Sequence, residues 1–220
     1  MPKASLLFSA IVLLLIGFGP PAWSADWPTP VPVVAHVATA DPVVFITLDD
    51  GWNHDAAAQK LLLDRHIPAS LFLLPGAYSY DAGYFHALVD GGPSRVENHT
   101  IDHPDLTALD AAGQRTQLCG ARERTLAEFG QEPRLVRPPF GAYNDTTRTV
   151  AAACGAKALA TWTYDFTTWG GATPPTPVLR PGDIVLLHFN DTVLADLTRA
   201  LAAVDAAGLR PAPLRDYIPD

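Results

Sequence analysis

The sequence is poor in basic residues and in charge overall. Only 15 of its 220 residues are Lys or Arg, against 23 Asp or Glu, and the formal net charge is −8. Nucleic-acid binding needs a basic face for phosphate contacts, and docking on an anionic membrane also needs basic residues. The composition therefore argues against nucleic acid and anionic membranes as partners.

Internal repeats, low-complexity blocks and a second long apolar run are also missing. Charged residues make up 17% and hydrophobic residues 48%, so the chain can bury a sizeable core. The 21 prolines and 16 glycines exclude a long helical bundle or coiled coil. At about 150 residues per domain, the length predicts one globular domain, which we expect to be a monomer.

The first 25 residues have the layout of a secretory signal peptide. Lys3 precedes an apolar run at 6–18, a helix-breaking Gly-Pro-Pro follows at 19–21, and residues 22–25 offer a cleavage site. The run of about thirteen apolar residues is shorter than the ~20 that a membrane span needs, which disfavours a retained anchor. We expect cleavage, secretion to the extracellular space and no membrane span in the mature protein.

Cysteine occurs only at Cys119 and Cys154, 35 positions apart. In an oxidising compartment such a pair commonly forms a disulfide. Neither residue lies in a CxxC motif or beside a histidine, which disfavours a nucleophile or a metal thiolate. The sequence favours a structural disulfide, and two inert buried thiols are the alternative.

Short apolar runs alternate with helical stretches along most of the chain. Residues 26–42 carry four prolines and predict an extended leader, followed by one domain over 43–220. The continuous apolar run at 43–48 predicts a parallel strand buried on both faces. Further strands are predicted at 70–74, 95–97, 135–137, 159–163, 184–187 and near 209–214. Helices are predicted at 54–66, 81–89, 111–129, 144–154 and 193–207. This alternation predicts an α/β domain, in which a closed barrel leaves fewer free edges than an open sheet.

Polar groups stand at the carboxyl ends of five of these strands. They are Asp49-Asp50-Gly51, Asn98-His99, Arg137-Pro138-Pro139, Tyr164-Asp165 and His188. The carboxyl ends of the strands are where α/β barrels gather their catalytic residues. The pattern therefore predicts one site at that end of the barrel.

The types of residue in these groups favour a metal centre. His99 and His103 have i,i+4 spacing, which on one helical turn points both imidazoles the same way. Together with an Asp they form a three-ligand set for a catalytic Zn²⁺ with an open position for water. His188 ends an apolar strand and is a candidate general acid beside a metal and a carboxylate, or a core residue otherwise.

Four ordered motifs resemble those of the polysaccharide deacetylases, the NodB homology domain of carbohydrate esterase family 4. They are Thr47-Leu48-Asp49-Asp50-Gly51, His99-Thr100-Ile101-Asp102-His103-Pro104, Arg137-Pro138-Pro139-Phe140-Gly141 and Leu186-Leu187-His188. The resemblance covers the chain from Val43 to Tyr217. It implies a distorted (β/α)7 barrel and a hydrolase that acts on the carbon–nitrogen bond of acetylated amino sugars.

The resemblance also implies how the nucleophile is made. Asp50, His99 and His103 would hold a divalent metal, with zinc expected. Asp49 would be the general base that deprotonates the metal-activated water. Arg137 would fix Asp49 through a charge-assisted hydrogen bond.

The remaining roles concern the acyl group and the leaving group. The backbone N–H of Phe140 would stabilise the oxyanion, and His188 would protonate the departing amine. Leu186 and Trp169 would form the walls of the pocket for the acetyl methyl group.

Two positions depart from the family pattern. Thr168 stands directly before Trp169, where the family usually has an Asp that orients the acid histidine, and Asp165 is a possible substitute. Trp52 follows Asp49-Asp50-Gly51, where the family often has Pro. This indole either stacks on a sugar ring at the barrel mouth, which we favour slightly, or serves only packing.

The expected function is that of a secreted, metal-dependent deacetylase that removes N-acetyl groups from a peptidoglycan-type or chitin-type polysaccharide. O-deacetylation of acetylated xylan on the same site is an alternative, because the same chemistry can attack an ester. A glycan-binding pseudoenzyme is a second alternative, motivated by Thr168 and Trp52.

Overall fold

The computed structural model describes residues 28–219, in which short parallel strands form one curled sheet covered by helices. The strands are β1 Val33–Val34, β2 Val43–Asp50, β3 Ser70–Leu73, β4 Arg95–Asn98, β5 Leu135–Val136, β6 Ala158–Ala160, β7 Tyr164–Asp165, β8 Ile184–His188 and β9 Arg210–Pro211. The α-helices are α1 Ala56–Asp64, α2 Pro75–Tyr80, α3 Ala82–Asp90, α4 Ala111–Phe129, α5 Asp145–Ala153 and α6 Val193–Ala206. Single 3₁₀ turns cover Leu106–Ala108, Pro139–Gly141 and Leu214–Tyr217.

The strand order is β1-β6-β5-β4-β3-β2-β8-β7, and β9 pairs with the beginning of β2. Every pairing is parallel, so the carboxyl ends of all these strands lie at the same edge. This curled, partly open barrel confirms the predicted α/β class and single domain.

Strand β2 lies between β3 and β8 and is buried on both faces. Val44, Ile46 and Leu48 pack in the apolar cluster beneath the helices, whereas Val43 and Phe45 belong to the cluster on the opposite face. Side chains alternate along a strand. Thr47 and Asp49 therefore continue the second face, which is the interior of the barrel.

Three segments differ from the sequence-based prediction. The strand predicted at 159–163 ends at Ala160, and Tyr164–Asp165 forms a separate strand, β7, that pairs with β8. The leader contributes β1, in which Val33 pairs with Leu159 of β6, so the packed part of the chain begins before Val43. A two-residue strand directly after Pro32 is too short to show a period-2 pattern, so the sequence predicts only extended chain here. Helix α2 was also missed, because it begins at a proline and continues through Gly76.

The predicted signal peptide lies outside the described residues. Within residues 28–219, no helix is long and apolar enough to cross a bilayer.

A disulfide joins Cys119 of α4 to Cys154, which caps the end of α5, with the sulfur atoms 2.01 Å apart. It lies beside an apolar cluster formed by these two helices and the neighbouring strands β5 and β6. The bond closes a loop with a sequence separation of 35 residues.

We expect replacement of both cysteines by alanine to lower the free energy of unfolding by ~3–4 kcal/mol, because the unfolded chain gains the entropy of an open loop. Guanidinium titration of the oxidised wild type and the double variant measures the difference. The reduced wild type is the matched control and should resemble the variant. Equal stability of all three forms would contradict a stabilising bond.

Candidate active site

Two adjacent carboxylates end strand β2. Strand alternation alone would send Asp49 and Asp50 to opposite faces of the sheet. Asp50 instead has a left-handed backbone (φ 71°) and Gly51 follows with φ 99°, so the chain turns and both carboxylates reach the same cavity. His54 holds this turn, because its Nε2 donates to the Gly51 carbonyl over 2.8 Å.

His99 and His103 are brought together by a turn rather than by a helix. Thr100 and His103 have left-handed backbones, with φ of 71° and 58°. The Asn98 side-chain oxygen accepts the Thr100 N–H over 2.9 Å, and the Thr100 hydroxyl accepts the His103 N–H over 3.1 Å. The helical turn considered for this i,i+4 pair is therefore wrong, although the two rings do meet, with centroids 4.9 Å apart.

Asp50, His99 and His103 form a set of metal-binding donors whose ligand atoms all lie within 4.8 Å of one another. The Oδ1 atom of Asp50 is 3.4 Å from Nε2 of His99 and 3.6 Å from Nε2 of His103. This oxygen is buried and has no hydrogen-bond partner among the described residues. An orphaned carboxylate oxygen between two imidazole nitrogens fits a divalent cation, and these donor types are those of zinc.

The backbone of Arg137 determines which nitrogen of His99 is free. The Nδ1–H of His99 donates to the Arg137 carbonyl over 2.8 Å. Its Nε2 therefore carries the lone pair and faces Asp50, as a metal ligand requires.

The electrostatics of the donor set reflect its burial and its mixed charges. Burial alone would raise the pKa of Asp50, but the nearby histidines His99, His188 and His103 together outweigh it, and the pKa lies below its ordinary value. Burial alone would lower the pKa of His99, but Asp49 and Asp50 outweigh it and raise the pKa. Burial and the neighbouring His99 both lower the pKa of His103.

Asp49 is held by a fully buried guanidinium. Nη1 of Arg137 donates to Asp49 Oδ1 over 2.7 Å and to the Thr47 hydroxyl over 2.8 Å. The other nitrogens donate to the carbonyls of Ala160 and Thr161, both over 3.0 Å. Burial lowers the pKa of Arg137 and Asp49 acts in the opposite direction. The pair leaves the second oxygen of Asp49 directed towards the donor set, 3.8 Å from His99 Nε2.

A cavity of ≈360 Å³ brings most of the predicted residues together. Its lining consists of Asp49, Asp50, His99, His103, Pro138, Phe140, Trp162, Asp165, Trp169, Leu186 and His188. Arg137 lies behind this lining, in contact with Asp49. Trp52 lies outside it, in an adjoining groove of ≈430 Å³ that shares Asp50 and His103 with the cavity. Its indole is 60% exposed and packs over Gly76.

Strained backbone is concentrated around this cavity. Among the described residues, five that are not glycine have positive φ, and all but His66 belong to the site: Asp50, Thr100, His103 and Phe140. Such conformations cost on the order of 1–3 kcal/mol each and persist where the surroundings enforce them. Phe140 has φ 59°, and its exposed ring packs edge-on against His103 at 4.6 Å.

His188 has a partner that the sequence did not reveal. Its Nδ1 lies 2.8 Å from the hydroxyl of Thr167, and the Trp169 ring packs against it with centroids 4.7 Å apart. Asp165, the predicted substitute, instead accepts the backbone N–H of Thr167 over 2.8 Å. Thr47, the partner of Arg137, was also missed, although strand alternation places it on the same face as Asp49.

A donor cluster and a buried carboxylate at the carboxyl edge of a curled parallel sheet define an α/β-barrel protein with a candidate hydrolytic site. Residues 36–159 match the model of the polysaccharide deacetylase family, and the chain belongs to that family.

Individual proteins extend this comparison. An uncharacterized protein of Streptomyces coelicolor is 38% identical over 91% of this chain and 83% of its own length. A chitooligosaccharide deacetylase of Sinorhizobium fredii is 29% identical over 80% of this chain and 91% of its own. Among solved structures, a family 4 carbohydrate esterase from Streptomyces lividans in complex with acetate superposes with a TM-score of 0.70 at 25% identity, over 80% of this chain and 96% of its own.

We expect His103→Ala to weaken Zn²⁺ binding by more than about 100-fold. Loss of a residue that only hydrogen-bonds to a metal ligand already lowers metal affinity by about 10- to 100-fold, and His103 is a candidate ligand itself. Competition with a chromogenic chelator measures the affinity. His86→Ala is the matched control, because His86 pairs with Asp90 and Glu128 on the surface and should leave one tight site intact. Equal affinity in the two variants would rule out His103 as a ligand.

Proposed function

We propose that this protein is a secreted, zinc-dependent deacetylase that hydrolyses the N-acetyl groups of a peptidoglycan-type or chitin-type glycan. The observation that carries the proposal is one cavity in which a buried carboxylate, a three-donor cluster and a histidine face a common space. Family membership and the likeness to a chitooligosaccharide deacetylase support the substrate class. The signal-peptide pattern of residues 1–25 supports secretion.

Hydrolysis of an amide needs a stronger nucleophile than neutral water. A zinc ion held by Asp50, His99 and His103 would supply the positive charge that acidifies water and polarises the acetyl carbonyl. Asp49 accepts the proton from water, since its free oxygen faces the cavity while Arg137 holds the other one. Because this contact orients the carboxylate before substrate arrives, little reorganisation is needed during the reaction.

The amine is a poor leaving group unless it is protonated. His188 lines the side of the cavity formed by β8, and in this proposal its Nε2 delivers the proton to the amide nitrogen as the carbon–nitrogen bond breaks. Trp169 and Leu186 line the same cavity and bound the space for the acetyl methyl group. The backbone N–H of Phe140 stabilises the oxyanion.

We expect Asp49→Asn to lower kcat for N-acetyl substrates by at least about 100-fold, because the general base is lost. Zinc binding should persist, since Asp49 lies outside the donor set. The substitution leaves the buried charge of Arg137 without its counterion, so circular dichroism must first establish that the variant is folded. Asp64→Asn, an exposed change on α1, is the control and should keep full activity. A folded, zinc-loaded Asp49→Asn variant with normal kcat would contradict the role of Asp49.

The function itself is tested by acetate release from N-acetylglucosamine oligomers and from peptidoglycan, with added Zn²⁺ and with a chelator. The expected result is release that the chelator abolishes and zinc restores. Release from acetylated xylan alone would replace the proposal by O-deacetylation. Sugar binding without acetate release from any of these substrates would make the protein a glycan-binding pseudoenzyme.

A further inference from the structure

The segment before Trp169 lacks the carboxylate that its family pattern leads one to expect beside His188. His188 is nevertheless held, because its Nδ1 lies 2.8 Å from the hydroxyl of Thr167. Thr167 is only 2% exposed. A hydroxyl can donate to a neutral imidazole nitrogen or accept from a protonated one, so it can fix the ring in both states.

The N–H of Thr167 itself is bound by Asp165 over 2.8 Å, and the two residues beside Thr167 are bound by helix α6. Thr168 donates its N–H to Asp196 over 2.8 Å and its hydroxyl to the same carboxylate over 2.7 Å. On the other side, the guanidinium of Arg199 donates to the carbonyl of Phe166 and lies 5.1 Å from the centre of its ring. Both neighbours of Thr167, Phe166 and Thr168, are therefore bound to helix α6, and these contacts restrict the position of Thr167.

Asp196 accepts most of the hydrogen bonds that hold this segment to α6. Its buried carboxylate also accepts hydrogen bonds from the Thr192 hydroxyl over 2.7 Å and from Arg199 over 3.1 Å. Burial alone would raise the pKa of Asp196, but the hydrogen bonds from Thr168, Thr192 and Arg199 outweigh it and hold the pKa below its ordinary value. The group is ionised at neutral pH, and charge-assisted hydrogen bonds are stronger than neutral ones.

We infer that Thr167 is the positioning residue for the acid His188, and that Asp196 supports it from α6 by binding Thr168. The motif has no negative charge at position 168; helix α6 supplies one at Asp196, which is separated from the imidazole by Thr168 and Thr167. The inference rests on the proposed function, in which His188 protonates the leaving amine.

Two substrates with different leaving groups distinguish a positioning role of Thr167 from a merely structural one. An amide requires proton delivery to its nitrogen, whereas the phenolate of 4-nitrophenyl acetate departs without a proton. A variant that misplaces His188 should therefore lose amide hydrolysis and retain hydrolysis of the aryl ester. A general structural defect would reduce both.

The decisive variant is Thr167→Val, which removes the hydroxyl at nearly constant volume. We expect kcat for N-acetylglucosamine oligomers to fall by about 100-fold with little change in KM, while turnover of 4-nitrophenyl acetate is retained. Thr167→Ser keeps the hydroxyl and should restore the amide activity. Thr198→Val makes the same chemical change on the exposed side of α6 and should behave like the wild type. Asp196→Asn should show the same selective loss as Thr167→Val.

Equal loss on both substrates, or no loss on either, in Thr167→Val would overturn the role of Thr167. Equal loss in Asp196→Asn would overturn the role of Asp196. The ¹⁵N NMR signals of the His188 ring give a readout that needs no turnover, and we expect the Nδ1 signal to shift in Thr167→Val. An unshifted signal would overturn the inference, whereas a wild type that is inactive on N-acetyl glycans would overturn the proposed function.

Discussion

The fully buried guanidinium of Arg137 is the interaction on which the rest of the site depends. Its side chain joins the interior of β2 to the end of β6, through Asp49 and the carbonyl of Ala160. Its own carbonyl accepts the Nδ1–H of His99. One residue therefore orients both the candidate base and a candidate metal ligand. A buried cation is tolerated only with a counterion and satisfied donors, so the carboxylate of Asp49 and the geometry of the barrel interior stabilise each other.

The candidate base and the candidate acid are supported in different ways. Asp49 is paired directly with a charge, whereas His188 contacts a neutral hydroxyl, and the carboxylates of Asp165 and Asp196 act on it only by binding Thr167 and Thr168. A direct ion pair favours one protonation state of its partner, but a hydroxyl accommodates both. This suits a histidine that must hold a proton and then release it.

Much of the fold could be predicted from local patterns. The apolar run of β2 reflects burial on both faces, and α4 spans residues 111–129 as predicted, with Asp110 capping its first turn and Gly130, whose φ is 61°, ending it. The candidate site residues could be predicted because they occur in short motifs at strand ends. Strand β1 could not, because two residues in a proline-rich segment form a strand only when β6 lies beside them.

The support of His188 could not be predicted for a related reason. Thr168 and Asp196 are 28 residues apart, and their contact depends on how α6 packs across the end of the sheet. In the sequence, Asp196 looks like an acid placed in the first turn of a helix, where it would also favour the helix dipole.

The family pattern has an Asp at position 168 that orients the acid histidine. In this chain Nδ1 of His188 has another hydrogen-bond partner, the hydroxyl of Thr167, 2.8 Å away. Thr168 also has a structural role. Its N–H and hydroxyl both bind Asp196, and these contacts keep the adjacent Thr167 in place. Where the family pattern has a carboxylate at position 168, this chain has one on helix α6, and it binds Thr168 rather than His188.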